Sequence, residues 1–187
     1  MIITINGNIG SGKSSVAKHL AKKFHYQLLD IGHLRRKEAK RRGLTLAQFN
    51  AWSEKHPDAG DRAFDRAIVQ TARRKRNIVV SSRTAFHFLP ESFKVFLWVS
   101  EREGARRTLK NQKERRNEVI AGSSLASLVR QHRQRIRSDT RRYKKLYGLN
   151  IFSRRNYDLF LNTTHLPLAK VVHRVKQAFF TWQKTKR

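Results

Sequence analysis

The stretch Gly7-Asn8-Ile9-Gly10-Ser11-Gly12-Lys13-Ser14-Ser15 restricts the fold of this chain more than any other. Its spacing is Gly-x4-Gly-Lys-Ser, in which glycines let backbone N–H groups curl around a phosphate at the positive end of a helix. Ile2-Ile3-Thr4-Ile5 before it is short and β-branched, as a buried strand is. Ser14 to Phe24 after it carries Val16, Leu20 and Phe24 at helical spacing. Strand, glycine turn and helix therefore stand in the order phosphate binding requires. Lys13 would reach the outer phosphates and the Ser14 hydroxyl would ligate Mg²⁺, so the stretch predicts binding of a nucleoside triphosphate. An ordinary glycine-rich turn is the competing reading, and the completeness of the flanking pattern weighs against it.

The rest of the chain alternates strands and helices. Tyr26–Asp30, Asn77–Ser81, Phe93–Val99 and Tyr157–Leu161 read as short strands. A basic helix over 34–42 stops near Gly43, and Thr45 is placed to cap a second helix holding Leu46, Phe49 and Trp52. Pro57 and Gly60 interrupt the chain before a third helix with Phe64, Ile68 and Val69. Further helices are expected over 101–112, from about Ser124 to Leu146, and from about Leu168. Residues 113–124, rich in Lys, Arg, Asn, Gly and Ser, are expected to be mobile. The alternation predicts an α/β chain with a five-stranded parallel sheet wrapped by helices, ligands lying at the C-terminal strand ends.

On the long helix, Arg135, Asp139 and Arg142 fall within one 60° sector at 100° per residue. Leu125, Val129, His132, Ile136 and Tyr143 occupy a neighbouring apolar face, where His132 reads as a packed histidine. Arg130, Arg133, Arg137, Arg141 and Lys144 lie roughly opposite the trio as a basic stripe.

Forty-two Lys and Arg against 13 Asp and Glu give a net charge of +29, and the excess runs through both halves of the chain. Such a field predicts either a polyanionic partner, RNA or a ribosome above all, or simply a solvated basic surface. It also disfavours close self-association, which predicts a monomer. The chain has no cysteine, so disulfides and thiolate metal sites are excluded. No segment reaches the ~18–20 apolar residues of a membrane span, and a strand beginning at Ile2 leaves no room for a signal peptide. A cytoplasmic protein without membrane contact is the expectation.

These residues together resemble the cytidylate kinases, particularly their short archaeal-type form. The resemblance runs from the phosphate loop through Ile31-Gly32-His33-Leu34-Arg35-Arg36, which looks like that family's Gly-Asp-x-x-Arg, and Lys40–Phe49. It continues with Asp61-Arg62-x-x-Asp65, Ser82-Arg83, Arg135-x3-Asp139-x2-Arg142-Tyr143, Tyr147-Gly148 and Tyr157-Asp158-Leu159. It implies one P-loop NTPase domain over 1–187, a three-layer α/β/α sandwich with substrate helices over about 32–75 and a helical or mobile lid over about 107–124. It implies an ATP- and Mg²⁺-dependent kinase acting on CMP or dCMP. Lys13 would hold the ATP phosphates with the loop residues Gly7 to Ser15. Arg36, Arg83 and Arg142 would grip the acceptor phosphate through bidentate contacts. Arg135 would approach the transferring group, and Asp139 would accept from a sugar hydroxyl or orient the arginines. Arg107, Lys113, Arg115 and Arg116 would come from the lid. Gly32, His33 and Ser82 belong to the substrate segment by the same resemblance, with Asp61 or Asp65 facing an exocyclic amine of cytosine.

The sequence departs from the family at His33, where Asp is usual, at Ser81, where an acid would help hold Mg²⁺, and at Thr84, where longer forms have an acid. Two alternatives stay open: an RNA- or ribosome-associated P-loop ATP-binding factor with reduced or no transfer, and a kinase on this scaffold with another phosphate-bearing acceptor.

Overall fold

The computed structural model describes residues 1–75, 77–111 and 124–186. The apolar, β-branched runs form five strands: β1 (Ile2–Gly7), β2 (Gln27–Asp30), β3 (Ile78–Ser81), β4 (Phe93–Trp98) and β5 (Leu159–Asn162). They pair in parallel in the order β2-β3-β1-β4-β5. Parallel neighbours need crossover connections, and helices supply them. These are α1 (Lys13–Phe24), α2 (Ile31–Arg41), α3 (Leu46–Lys55), α4 (Asp61–Arg74), α5 (Ala85–Phe88), α6 (Glu101–Lys110), α7 (Leu125–Tyr147) and α8 (Leu168–Thr185). The order reverses about β1, so the C-terminal ends of β1 and β3 open into the crevice where this topology binds ligands.

The strands alternate their side chains between two cores. Ile3, Ile5, Val95 and Leu97 face α1 and α8, meeting Val16, Leu20, Val175 and Phe179. Ile78 and Val80 face the other way, against Ile31 of α2, Ile68 of α4 and Leu89. This is the expected three-layer sandwich. α1 and α8 form one outer layer, and α2 and α4 pack on the opposite face.

The helix boundaries follow local chemistry. Thr45 caps α3 with a reciprocal box: its hydroxyl accepts from Gln48 N–H at 3.2 Å, and the Gln48 side chain accepts from Thr45 N–H at 2.8 Å. α7 is capped by Ser124, and it stops at Gly148, whose φ is 68°.

Several elements differ from the sequence expectation. α2 begins at Ile31, three residues before the expected start at 34, because the Asp30 side chain caps it there. β5 begins at Leu159 rather than Tyr157, because Tyr157 and Asp158 are held by tertiary contacts. The Tyr157 hydroxyl accepts from Asn6 Nδ2 at 2.7 Å, and the Asp158 carboxylate accepts from Lys94 N–H at 2.8 Å. The single-turn α5 was not expected; four residues are too few to show a period. The expected mobile run at 113–124, including Lys113, Arg115 and Arg116, lies outside the described residues apart from Ser124.

Candidate active site

Gly12 precedes α1 with φ 86°, a left-handed conformation that favours glycine. Asn8 anchors the loop below it. Its Nδ2 donates to Val99 O at 2.7 Å and its Oδ1 accepts from Val99 N–H at 2.9 Å, so the side chain extends the pairing at the end of β4. Gly10 meets Gly104 of α6 backbone to backbone: a Cβ at Gly10 would stand 2.3 Å from Gly104 O, and one at Gly104 2.6 Å from Ile9 O.

One enclosed cleft gathers the donor and acceptor candidates. Ile9, Gly10, Gly12, Lys13, Ser14 and Ser15 line it from the loop. Gly32 and Arg36 come from α2, Asp61 and Asp65 from α4. Ser82 and Arg83 come from the end of β3, and Arg135, Asp139 and Arg142 from α7. Gly32 lies beside Arg36, whose Nη1 would be in ordinary contact with a Cβ there at 3.5 Å. His33 is exposed and outside the lining; its backbone N–H donates to the Asp30 cap at 3.2 Å. Gly7 and Asn8 support the loop from below, and Ser11 faces a second, more open cleft. That cleft lies between Gly10–Gly12, α6 and residues 164–168, and Arg107 lines it. Arg107 donates to Thr163 O at 2.7 Å and to Glu103 at 2.8 Å, which ties α6 to the chain after β5.

Part of the cleft is a buried ladder of alternating charge. Arg35 Nη1 donates to Asp61 Oδ1 at 2.8 Å, and Arg142 Nε stands 3.4 Å from Asp61 Oδ2. Arg142 Nη2 donates to Asp139 Oδ1 at 2.7 Å, and Arg83 Nη2 lies 2.9 Å from Asp139 Oδ2. Three cations thus alternate with two anions, and Arg83 Nη1 has no hydrogen-bond partner among the described residues. Burial alone would raise the Asp139 carboxyl, yet Arg83, Arg142 and Arg135 hold it below its ordinary value. Burial pulls the Arg83 guanidinium below its own, more than Asp139 restores. Burial also pushes the Tyr143 phenol up to about 12, so it stays a neutral donor, 3.4 Å from Asp61 Oδ1. Asp139 is therefore held as a charged carboxylate between Arg142 and Arg83.

Asp61 and Asp65 are both in the cleft, and both are engaged. Asp65 accepts from Thr84 Oγ1 at 2.6 Å and from the Tyr147 hydroxyl, and burial raises its pKa. Arg35 was not singled out from the sequence. It sits between the Phe49 and Phe64 rings, 5.2 and 5.1 Å from their centroids, and its Nη2 donates to Asn50 Oδ1 at 2.8 Å. Its signal was the spacing Ile31, Arg35, Ala39, which places an arginine on the buried face of α2. Asn6 was missed too; its Nδ2 donates to Arg83 O at 3.2 Å, fixing the backbone at the end of β3.

A phosphate loop at the switch point of a parallel sheet, facing a buried arginine cluster, defines a phosphotransferase of the P-loop kinase fold. The solved shikimate kinase of Acinetobacter baumannii, in complex with shikimate, has this fold at a TM-score of 0.62 and 16% identity, over 96% of this chain and 93% of that one. The sequence narrows the class. The model of the cytidylate kinase-like family matches residues 2–165, and the chain belongs to that family. It is 33% identical over 163 residues to a cytidylate kinase of Halobacterium salinarum, covering 87% of this chain and 81% of that one. With a cytidylate kinase of Thermococcus kodakarensis it shares 30% over 166 residues, 88% of this chain and 80% of that one.

Proposed function

We propose that this nucleoside monophosphate kinase transfers the γ-phosphoryl group of ATP to CMP or dCMP. The observation that carries the reading is the ladder Arg35–Asp61–Arg142–Asp139–Arg83 beside Lys13 in one cleft. Its cations outnumber its anions, and a phosphate monoester supplies the missing negative charge. Both reactants are anionic, so the protein's contribution is alignment, exclusion of water and neutralisation of charge. Lys13 and the loop N–H groups hold the donor phosphates. Arg36, Arg83 and Arg142 orient the acceptor phosphate, one oxygen of which attacks the γ-phosphorus while the bond to the β–γ bridging oxygen breaks. Arg135 meets the charge that spreads over the transferring group.

For Mg²⁺ the cleft offers the Ser14 and Ser81 hydroxyls, while Asp61, Asp65 and Asp139 are all bonded to arginine, threonine or tyrosine. Neutral oxygen donors fit an ion that arrives on the nucleotide and keeps several waters. When bound, it neutralises charge on the β- and γ-phosphates.

The test is phosphotransfer from Mg-ATP to CMP, dCMP, UMP, AMP and GMP, offered separately, with Lys13→Ala as the control against a contaminating kinase. Turnover confined to CMP and dCMP, lost in Lys13→Ala, supports the reading. Turnover on another monophosphate corrects the acceptor. No turnover with ATP still bound refutes it and revives the RNA-associated factor, which nothing in the comparisons supports.

A further inference from the structure

The charge of this chain is unevenly compensated. All 13 carboxylate side chains fall between Asp30 and Asp158; residues 1–29 and 159–187 contain none. These two terminal segments meet in the fold, because α1 and α8 pack side by side as one outer layer over the sheet. Elsewhere on the surface carboxylates neutralise arginines. Glu38 holds Arg41 and Arg42, Asp58 holds Arg62, Glu103 holds Arg106, and Glu101 holds Arg133 of the long basic stripe on α7. On the α1/α8 layer Lys18, Lys22 and Lys23 of one helix and Lys170, Arg174 and Lys184 of the other are exposed, with no carboxylate in either segment. From Lys170 to Lys184 the row runs about 21 Å at 1.5 Å per residue.

A second observation gives the kind of polyanion. Phe180 of α8 is 44% exposed, its ring edge-on to Phe24 and 5.5 Å from Lys176 Nζ, and Lys184 follows one turn on. The α7 stripe carries no exposed large apolar side chain. An aromatic face among backbone-tracking cations is the pattern that binds single-stranded nucleic acid, where a base stacks and the phosphates are neutralised. An anionic membrane fits less well. The apolar face of α8, Val171, Val172, Val175 and Phe179, is already buried against the sheet, and the exposed Leu168 and Phe180 alone do not make an inserting face.

We infer that the α1/α8 layer docks single-stranded nucleic acid, with phosphates on the exposed Lys and Arg of both helices and a base against Phe180. This face lies on the layer away from α2 and α4, so the inference stands or falls independently of the kinase reading.

The experiment is fluorescence anisotropy of labelled 20-residue oligouridylate and oligothymidylate with the whole chain at 50 and 200 mM KCl, and sedimentation with vesicles of phosphatidylcholine and phosphatidylserine. Two further variants are measured, Lys22→Gln/Lys23→Gln/Lys170→Gln/Arg174→Gln and Phe180→Ala, against Arg130→Gln/Arg137→Gln/Arg141→Gln. Contact with ~6 phosphates predicts roughly 300-fold weaker binding between the two salt concentrations. The four-charge variant should flatten the log–log salt slope by about 3. Phe180→Ala should weaken binding about 5-fold or more, and the α7 variant should stay within about twofold of the wild type. Melting temperature and phosphotransfer report that the variants are folded. Acylation of surface lysines, mapped by mass spectrometry on the wild type, needs no variant: bound oligouridylate should protect Lys22, Lys23 and Lys170. A preference between the two oligonucleotides identifies RNA or DNA as the partner. The inference is overturned by binding that ignores salt, by an equal loss in the α7 variant, by unchanged affinity in Phe180→Ala, by unprotected lysines, or by vesicle binding without oligonucleotide binding.

Discussion

Replacing Asp139 by Asn tests the charge ladder at its centre. The substitution keeps the shape of the side chain and removes one negative charge from a residue 1% exposed, 2.7 Å from Arg142 and 2.9 Å from Arg83. Two buried guanidiniums then face each other with Asp61 as the remaining nearby anion. Breaking a buried pair from one side costs about 3–5 kcal/mol. For a chain of this size that lowers Tm by roughly 8–15 °C. Differential scanning fluorimetry should show this drop with little dependence on salt, since the pair is shielded from solvent. The folded pKa of Asp139 is depressed, so its stabilisation is fully present above the ordinary carboxylate range and is lost as pH falls through the folded value. Wild type and Asp139→Asn should therefore converge in stability on acidification. Added CMP should raise Tm more in the variant than in the wild type, because the acceptor phosphate restores part of the missing negative charge. A Tm within about 3 °C of the wild type, or a gap constant from pH 7 to 3, would refute the reasoning.

Three other substitutions probe different parts of the site. Arg35→Met should cost about 3 kcal/mol, the low end for a buried pair because Arg142 still faces Asp61; chemical denaturation measures it, and KM for the acceptor should rise while KM for ATP holds. Asn8→Ala leaves the Val99 N–H and C=O without their partners, a loss of roughly 2–4 kcal/mol, and nucleotide titration should find weaker ATP binding. Gly104→Ala favours the helix by up to ~1 kcal/mol but places a Cβ 2.6 Å from Ile9 O. Its kcat/KM should therefore fall by roughly 10²-fold through displacement of the loop, and a stabilised variant with normal turnover would contradict the close contact.

What the sequence made legible were features written locally. The glycine spacing, the β-branched runs, the Thr45 cap and the shared sector of Arg135, Asp139 and Arg142 all depend on neighbours within a few turns, and the cleft contains that trio. Features that depend on distant partners were hidden. Arg35 reads as one more cation in a basic run until Asp61, 26 residues on, meets it. Asn6 looks like a strand residue until Arg83, Ile151 and Tyr157 converge on its amide. Asp61 or Asp65 was expected to face an exocyclic amine of cytosine because an aspartate in a substrate segment is chemically suited to an amine. Which groups already occupy their oxygens is a tertiary fact.

The bare contact between Gly10 and Gly104 ties the phosphate loop to α6 with no side chain between them. Where helices meet through side chains, rotamers can absorb a small shift. Two backbones in contact have no such slack, so a movement of the phosphate loop is passed directly to α6. α6 in turn packs along α7 through Ala105 and Leu128 and is clamped to it by Glu101 and Arg133. α7 carries Arg135, Asp139 and Arg142. The phosphate loop, one short helix and the arginines of α7 therefore stand in one unbroken chain of contacts.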